Sequence, residues 1–208
     1  MTVKKAIIYV HGKGGNADES KRYERLCKGY EVYGLDYKGN TPWDTEQEFQ
    51  KAYDELSEKY EKILIIANSI GAYFTMNALA RKKITKALFI SPVVDMEKLI
   101  FDMLSWANTD ERELCEKGEI TTAFGEVLSW EYLQYVRSNP IIWNVPTDVL
   151  YADKDNLTSI ETVTRFVTSH NATLSVMQNG EHWFHTKEQL DFLDKWVTEV
   201  FKDTEILI

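Results

Sequence analysis

Six short apolar runs punctuate the chain: Lys5–Val10, Tyr30–Asp36, Lys62–Ala67, Lys86–Pro92, Thr147–Ala152 and Ala172–Met177. Each is strand-length, and most are continuous rather than alternating, as in parallel strands covered on both faces. Helical spacing fills most of the intervals. Asn16–Lys28 carries Asp18 and Glu19 in its first turn and meets Gly29 at its end, a start and a stop that suit a helix. A helix capped by Asp44 or Thr45 runs to about Tyr60, with Phe49, Ala52, Tyr53, Leu56 and Tyr60 on one stripe. Ala72–Arg81 is apolar nearly all round, the mark of a helix buried on more than one side. Ser159–Ser169 and an amphipathic helix from about Thr186 follow the last two intervals. Strand and helix thus alternate, which predicts an α/β fold: one parallel, six-stranded, doubly wound sheet with helices on both faces.

One interval breaks the rhythm. Between the fourth run and the fifth, about Met96 to Val145, the chain is too long for a structureless loop in a compact domain. Helical patterns recur at Met96–Trp106, around Arg112–Lys117 and at Ser129–Arg137. Trp106, Trp130 and Trp143, half of the six tryptophans, fall inside it. The stretch 96–145 reads as a helical cap inserted into a single domain spanning 1–208.

Composition narrows the functional classes. Of 208 residues, 44% are hydrophobic, ample for one sizeable core. A formal charge of −9 argues against nucleic acid or an anionic membrane as a general partner. Cys27 and Cys115 are far apart and show no metal or redox spacing. No apolar signal core follows Met1, and no segment is long enough to span a bilayer. The expected setting is cytoplasmic, with no cofactor and with the oligomeric state open.

The chemistry concentrates at the third run. Ile63–Ala67 breaks at Asn68-Ser69-Ile70-Gly71, and a helix follows at once. A serine flanked by small residues on a tight strand-to-helix turn has the pattern of a nucleophile elbow, with Ala67 in place of the first glycine of Gly-x-Ser-x-Gly. A capping serine would also fit the turn. Reactive groups in an open parallel sheet gather at the carboxyl ends of strands. Three further groups fall at such ends: His11-Gly-Lys-Gly-Gly15, the pair Asp153 and Asp155, and His182. The glycine loop matches neither the mononucleotide nor the dinucleotide spacing. His182 and His185 are too poorly supported by other ligands to suggest a metal.

Taken together, "HGKGG", "ANSIGA", "LYADKDN" and "NGEHWF" resemble the α/β-hydrolase family over nearly the whole chain. The resemblance implies a reduced sheet lacking the family's first two strands, in the spatial order second, first, third, fourth, fifth, sixth. It implies Ser69 as nucleophile, His182 as base and Asp155 as the acid, with Asp153 as the alternative. It also implies an oxyanion hole from the backbone N–H groups of Lys13 and Ile70. Trp106 and Trp130 of the insertion, with Trp183 beside the histidine, are the candidate substrate-binding residues. The expected activity is hydrolysis of a small-molecule carboxylic ester. Thioesters or aminoacyl amides are alternatives with the same triad, and a binding protein that retains the fold is a third.

Overall fold

The computed structural model describes residues 3–206. The chain runs β1 (Lys5–Val10), a 3-10 turn (Ala17–Ser20), α1 (Lys21–Leu26), β2 (Glu31–Leu35), α2 (Pro42–Ser57), β3 (Lys62–Asn68), α3 (Ile70–Leu79) and β4 (Lys86–Ile90). It continues through α4 (Met96–Trp106), α5 (Glu111–Lys117), β5 (Glu119–Thr121), β6 (Val127–Ser129) and α6 (Trp130–Ser138). It ends with β7 (Thr147–Ala152), α7 (Ile160–Ser169), β8 (Ala172–Met177) and α8 (Lys187–Ile206).

The six apolar runs form one sheet in the order β2-β1-β3-β4-β7-β8, and every pairing in it is parallel. This is the expected order. The strand period of two sorts side chains to the two faces. Ile7, Tyr9, Leu64, Ile66, Leu88 and Leu150 pack in one cluster with Tyr23 of α1 and Leu193, Trp196 and Phe201 of α8. Their neighbours Ala6, Ile8, Ile63, Ile65 and Phe89 are equally buried on the other face. Continuous runs are therefore needed in the central strands, where neither face meets water, while the edge strands β2 and β8 are partly exposed. Helix α3 is buried almost throughout, as its all-round apolarity requires.

Boundaries shift where local chemistry decides them. Helix α2 starts at Pro42, not at Asp44 or Thr45, because the Thr41 hydroxyl accepts from the Asp44 N–H and proline fits the first helical position. Asn16 caps the 3-10 turn through a reciprocal pair with Glu19, so Asn16–Lys28 divides into a turn and a short helix.

Residues Asp95–Ile142 form a compact unit of their own. The three expected helices are present there, as α4, α5 and α6. An antiparallel hairpin, β5 with β6, lies between the last two and was not expected from the sequence. Gly125 turns it at φ 89°. The Thr122 hydroxyl fastens the turn, donating to the Glu126 carbonyl and accepting from the Glu126 N–H. Arg137 of α6 ties the unit together. Its guanidinium pairs with Glu97 of α4 at 2.6 Å and Glu111 at 2.5 Å, and lies 5.6 Å from the centre of the Phe101 ring. Among the described residues no helix is long and apolar enough to cross a membrane.

Candidate active site

Strand β3 ends at Asn68 and α3 begins at Ile70, so Ser69 alone turns the chain. It does so at φ 50° and ψ −122°, a conformation that glycine favours and other residues adopt only under strain. Neighbouring backbone holds it there. The Ser69 N–H donates to the Ile90 carbonyl at 2.9 Å, and the Ser69 carbonyl accepts from Val93 at 3.1 Å. Gly71 permits the turn from beneath. A Cβ at that position would stand 2.4 Å from the His11 carbonyl oxygen and 2.9 Å from Val10 Cγ1, so only glycine lets α3 pass so close to the end of β1. Gly12 is similarly confined, since its Cβ would meet Ser69 Cβ at 3.2 Å.

The loops after β7 and β8 bring in the other two groups. They are bonded to each other, with the Asp153 N–H donating to the Met177 carbonyl at 3.1 Å and the Lys154 N–H to the Gly180 carbonyl at 2.9 Å. Asp155 has a fully buried side chain. One of its oxygens accepts from the N–H groups of Leu157 at 2.8 Å and Thr158 at 3.0 Å. The other lies 2.7 Å from His182 Nδ1. The opposite ring nitrogen, Nε2, lies 2.8 Å from the Ser69 hydroxyl. An ionised carboxylate only accepts, so His182 carries its proton on Nδ1. Nε2 is then left as an acceptor for the serine proton. The three groups form one directed chain, able to raise the nucleophilicity of Ser69 as a proton leaves it.

Ser69 and His182 border a cavity of about 670 Å³, within the range of small-molecule sites. The glycine-rich loop Gly12–Gly15 forms one side of it, while Leu157, Phe184, Leu190 and Leu193 supply apolar surface.

No family model matches the sequence, and no curated protein sequence matches it. Solved structures do. Est1E from Butyrivibrio proteoclasticus superposes with a TM-score of 0.74 at 18% identity, over 97% of this chain and 88% of that one. Alpha/beta hydrolase domain-containing protein 10 from mouse gives 0.75 at 16%, over 96% and 90%. The esterase Pf2001 of Pyrococcus furiosus gives 0.62 at 19%, over 96% and 82%. The fold is that of the α/β-hydrolases. At such identities the likeness speaks to the fold, and the site rests on its own geometry.

Within this α/β-hydrolase fold the remaining candidates find distinct places. Asp153 is exposed, and it is Asp155 that reaches the imidazole. Lys13 lines the cavity with Ser69. Ile70 opens α3, and a helix leaves the N–H groups of its first turn without intrahelical acceptors. Trp183 also lines the cavity. Trp106 and Trp130 belong to the 95–142 unit; Trp106 is exposed and meets Phe124 edge-on at 6.3 Å, and Trp130 is half-buried at the start of α6. Among the described residues no group of three metal-ligating side chains occurs. His11 is a loop-ordering residue, with Nδ1 2.8 Å from the Gly12 carbonyl and its ring stacked on Tyr37 at 4.2 Å.

One part of the site escaped sequence reasoning. The Tyr9 phenol donates to the Glu19 carboxylate and accepts from the Asn68 amide at 2.8 Å. Burial pushes that phenol well above its ordinary range, so it stays protonated. Glu19 also accepts from the Asn16 N–H at 3.3 Å. The relay joins the glycine-rich loop to the residue before Ser69. No signal announced it: Tyr9 sits in an apolar strand and looks like core.

Proposed function

We propose that the chain is a serine hydrolase that cleaves small-molecule carboxylic esters through an acyl-enzyme. Ser69 is the nucleophile. His182 removes its proton and later returns one to the leaving alcohol, and Asp155 holds the imidazole in the required tautomer and stabilises its protonated form. The backbone N–H groups of Ile70 and Lys13 receive the negative charge of the tetrahedral intermediate, a contribution worth roughly a hundred- to a thousandfold in rate for each donor. Water then attacks the acyl-Ser69 carbonyl, with His182 again as base.

The observation that carries this reading is the continuous chain Ser69–His182–Asp155, at 2.8 and 2.7 Å, anchored on a strained elbow. The esterases among the similar folds support hydrolysis in general. The net charge of −9 disfavours polyanionic substrates. Unpaired Cys27 and Cys115 fit a reducing, cytoplasmic setting.

A fluorophosphonate probe tests the reading directly. Wild-type protein is expected to be labelled at Ser69, and Ser69→Ala and His182→Ala are expected to lose both labelling and turnover of p-nitrophenyl acetate. An unlabelled wild type, beside a labelled control hydrolase, returns the chain to a binding role. Parallel rates on thioesters and aminoacyl amides separate esterase from thioesterase and aminopeptidase.

A further inference from the structure

Trp183 is 75% exposed, the most exposed large apolar side chain among the described residues, yet it borders the same cavity as Ser69. Such a side chain on the surface normally folds down onto apolar neighbours or moves freely. Here it is held. The His185 imidazole stacks on the indole with ring centres 4.8 Å apart and planes 24° apart. His185 Nδ1 in turn donates to the Trp183 carbonyl at 2.7 Å. The loop beneath is fixed to α8 by buried Gln189, whose amide oxygen accepts from the N–H groups of His185 at 3.0 Å and Thr186 at 3.3 Å. The Thr186 hydroxyl accepts from the Gln189 N–H in return, completing a capping box. Its neighbour Phe184, by contrast, is packed into the core at 8% exposure while still bordering the cavity. The indole is thus displayed beside the cavity by a rigid mount, one face covered by imidazole, one residue from His182.

We infer that Trp183, backed by His185, is a stacking platform for a planar ring of the substrate, and that the preferred substrates are esters bearing an aryl group. The inference rests on the serine hydrolase reading and specifies its substrate class. The physical basis is the aromatic quadrupole. An aryl ring gains from offset or edge-on contact with indole beyond its apolar area, and a saturated ring of similar size does not. The aliphatic side chains of Leu157, Leu190 and Leu193 along the cavity accept either kind of ring, and the other aromatic side chains bordering it, Tyr9, Tyr23 and Phe184, are buried, so discrimination falls to exposed Trp183.

Matched pairs isolate this effect, with a methylene insulating the ester from the ring. They are methyl phenylacetate against methyl cyclohexylacetate, and benzyl acetate against cyclohexylmethyl acetate. Wild type is expected to favour the aryl member of at least one pair by about three- to tenfold in kcat/KM, the size of an aromatic pair contact. Trp183→Leu, which keeps apolar bulk without the quadrupole, and Trp183→Ala are both expected to bring that ratio to about one. Trp183→Phe is expected to keep most of it. A ratio near one in wild type for both pairs, or a preference that survives in Trp183→Leu, overturns the platform. Fluorophosphonate labelling of the same preparations keeps the two readings apart, since labelled protein with a flat ratio sinks the platform alone. If Ser69 is not labelled, the hydrolase reading falls first. Calorimetric binding of phenylacetate against cyclohexylacetate to wild type and Trp183→Leu then decides the platform by the same ratio.

Discussion

Replacing Asp155 by asparagine is nearly isosteric, and the structure fixes which way the amide must face. One carboxylate oxygen accepts two backbone N–H groups, from Leu157 and Thr158. If the asparagine turned its NH2 toward them, two partly buried donors would lose their acceptor, at a cost of at most about 1–3 kcal/mol each. The carbonyl oxygen therefore stays with the backbone, and the NH2 faces His182 Nδ1. A donor there demands that Nδ1 accept, which moves the imidazole proton to Nε2, the nitrogen 2.8 Å from Ser69. The base then presents a proton where it should take one. The expected loss is about ten-thousandfold in kcat, the magnitude for this tautomer error in a Ser-His-Asp triad, or roughly 5 kcal/mol in the barrier. The assay is steady-state hydrolysis of p-nitrophenyl acetate beside the rate of fluorophosphonate labelling, with the urea midpoint as a check on folding. Asp153→Asn is the control, because exposed Asp153 makes no comparable demand on the ring. Retention of more than a tenth of the wild-type rate by folded Asp155→Asn, or collapse in Asp153→Asn instead, would refute the reasoning.

Gly71→Ala forces a methyl to within 2.4 Å of the His11 carbonyl oxygen. About 1–3 kcal/mol or more of destabilisation is expected by urea titration, together with reduced turnover as β1 and its glycine loop move off the elbow. Tyr9→Phe removes the hydroxyl that serves both Glu19 and Asn68, and about 1–3 kcal/mol of stability should go with it. Burial pushes the Cys27 thiol up from 9.0 to about 12. The unfolded chain therefore releases that proton first, and stability falls as pH rises through this window, by at most about 1.4 kcal/mol per pH unit. Urea midpoints measured between pH 8 and pH 10 should decline less steeply in Cys27→Ala than in wild type.

The sheet was legible because its signal is redundant. Buried parallel strands such as Ile63–Ala67 are apolar at every position, and the run survives any error of register. The order β2-β1-β3 and the later strands followed from the resemblance to the family. The boundaries were less legible. Thr41 as the cap of α2 depended on noticing that Pro42 suits a first helical position better than it suits a loop. The β5–β6 hairpin was hidden because each strand has three residues, too few for alternation to register. At the site, the side chains at strand ends stood out because Ser, His and Asp there are chemically conspicuous. The choice between Asp155 and Asp153 was a matter of loop direction, which two backbone N–H groups decide and no local pattern displays. The Tyr9–Glu19–Asn68 relay was invisible for a different reason. It joins residues 10 and 59 positions apart in sequence, and its central member is typical of a buried strand.

The backbone of Ser69 has a consequence for engineering. A residue with a side chain at φ 50° and ψ −122° stores about 1–3 kcal/mol of conformational strain that glycine would relieve. Ser69→Gly is therefore a substitution that any search for thermal hardiness should favour, and it removes the one oxygen on which the proposed chemistry depends. Libraries of this chain screened only for soluble, heat-resistant protein will drift toward inert variants at this codon. Selection has to include a turnover or labelling step from the first round.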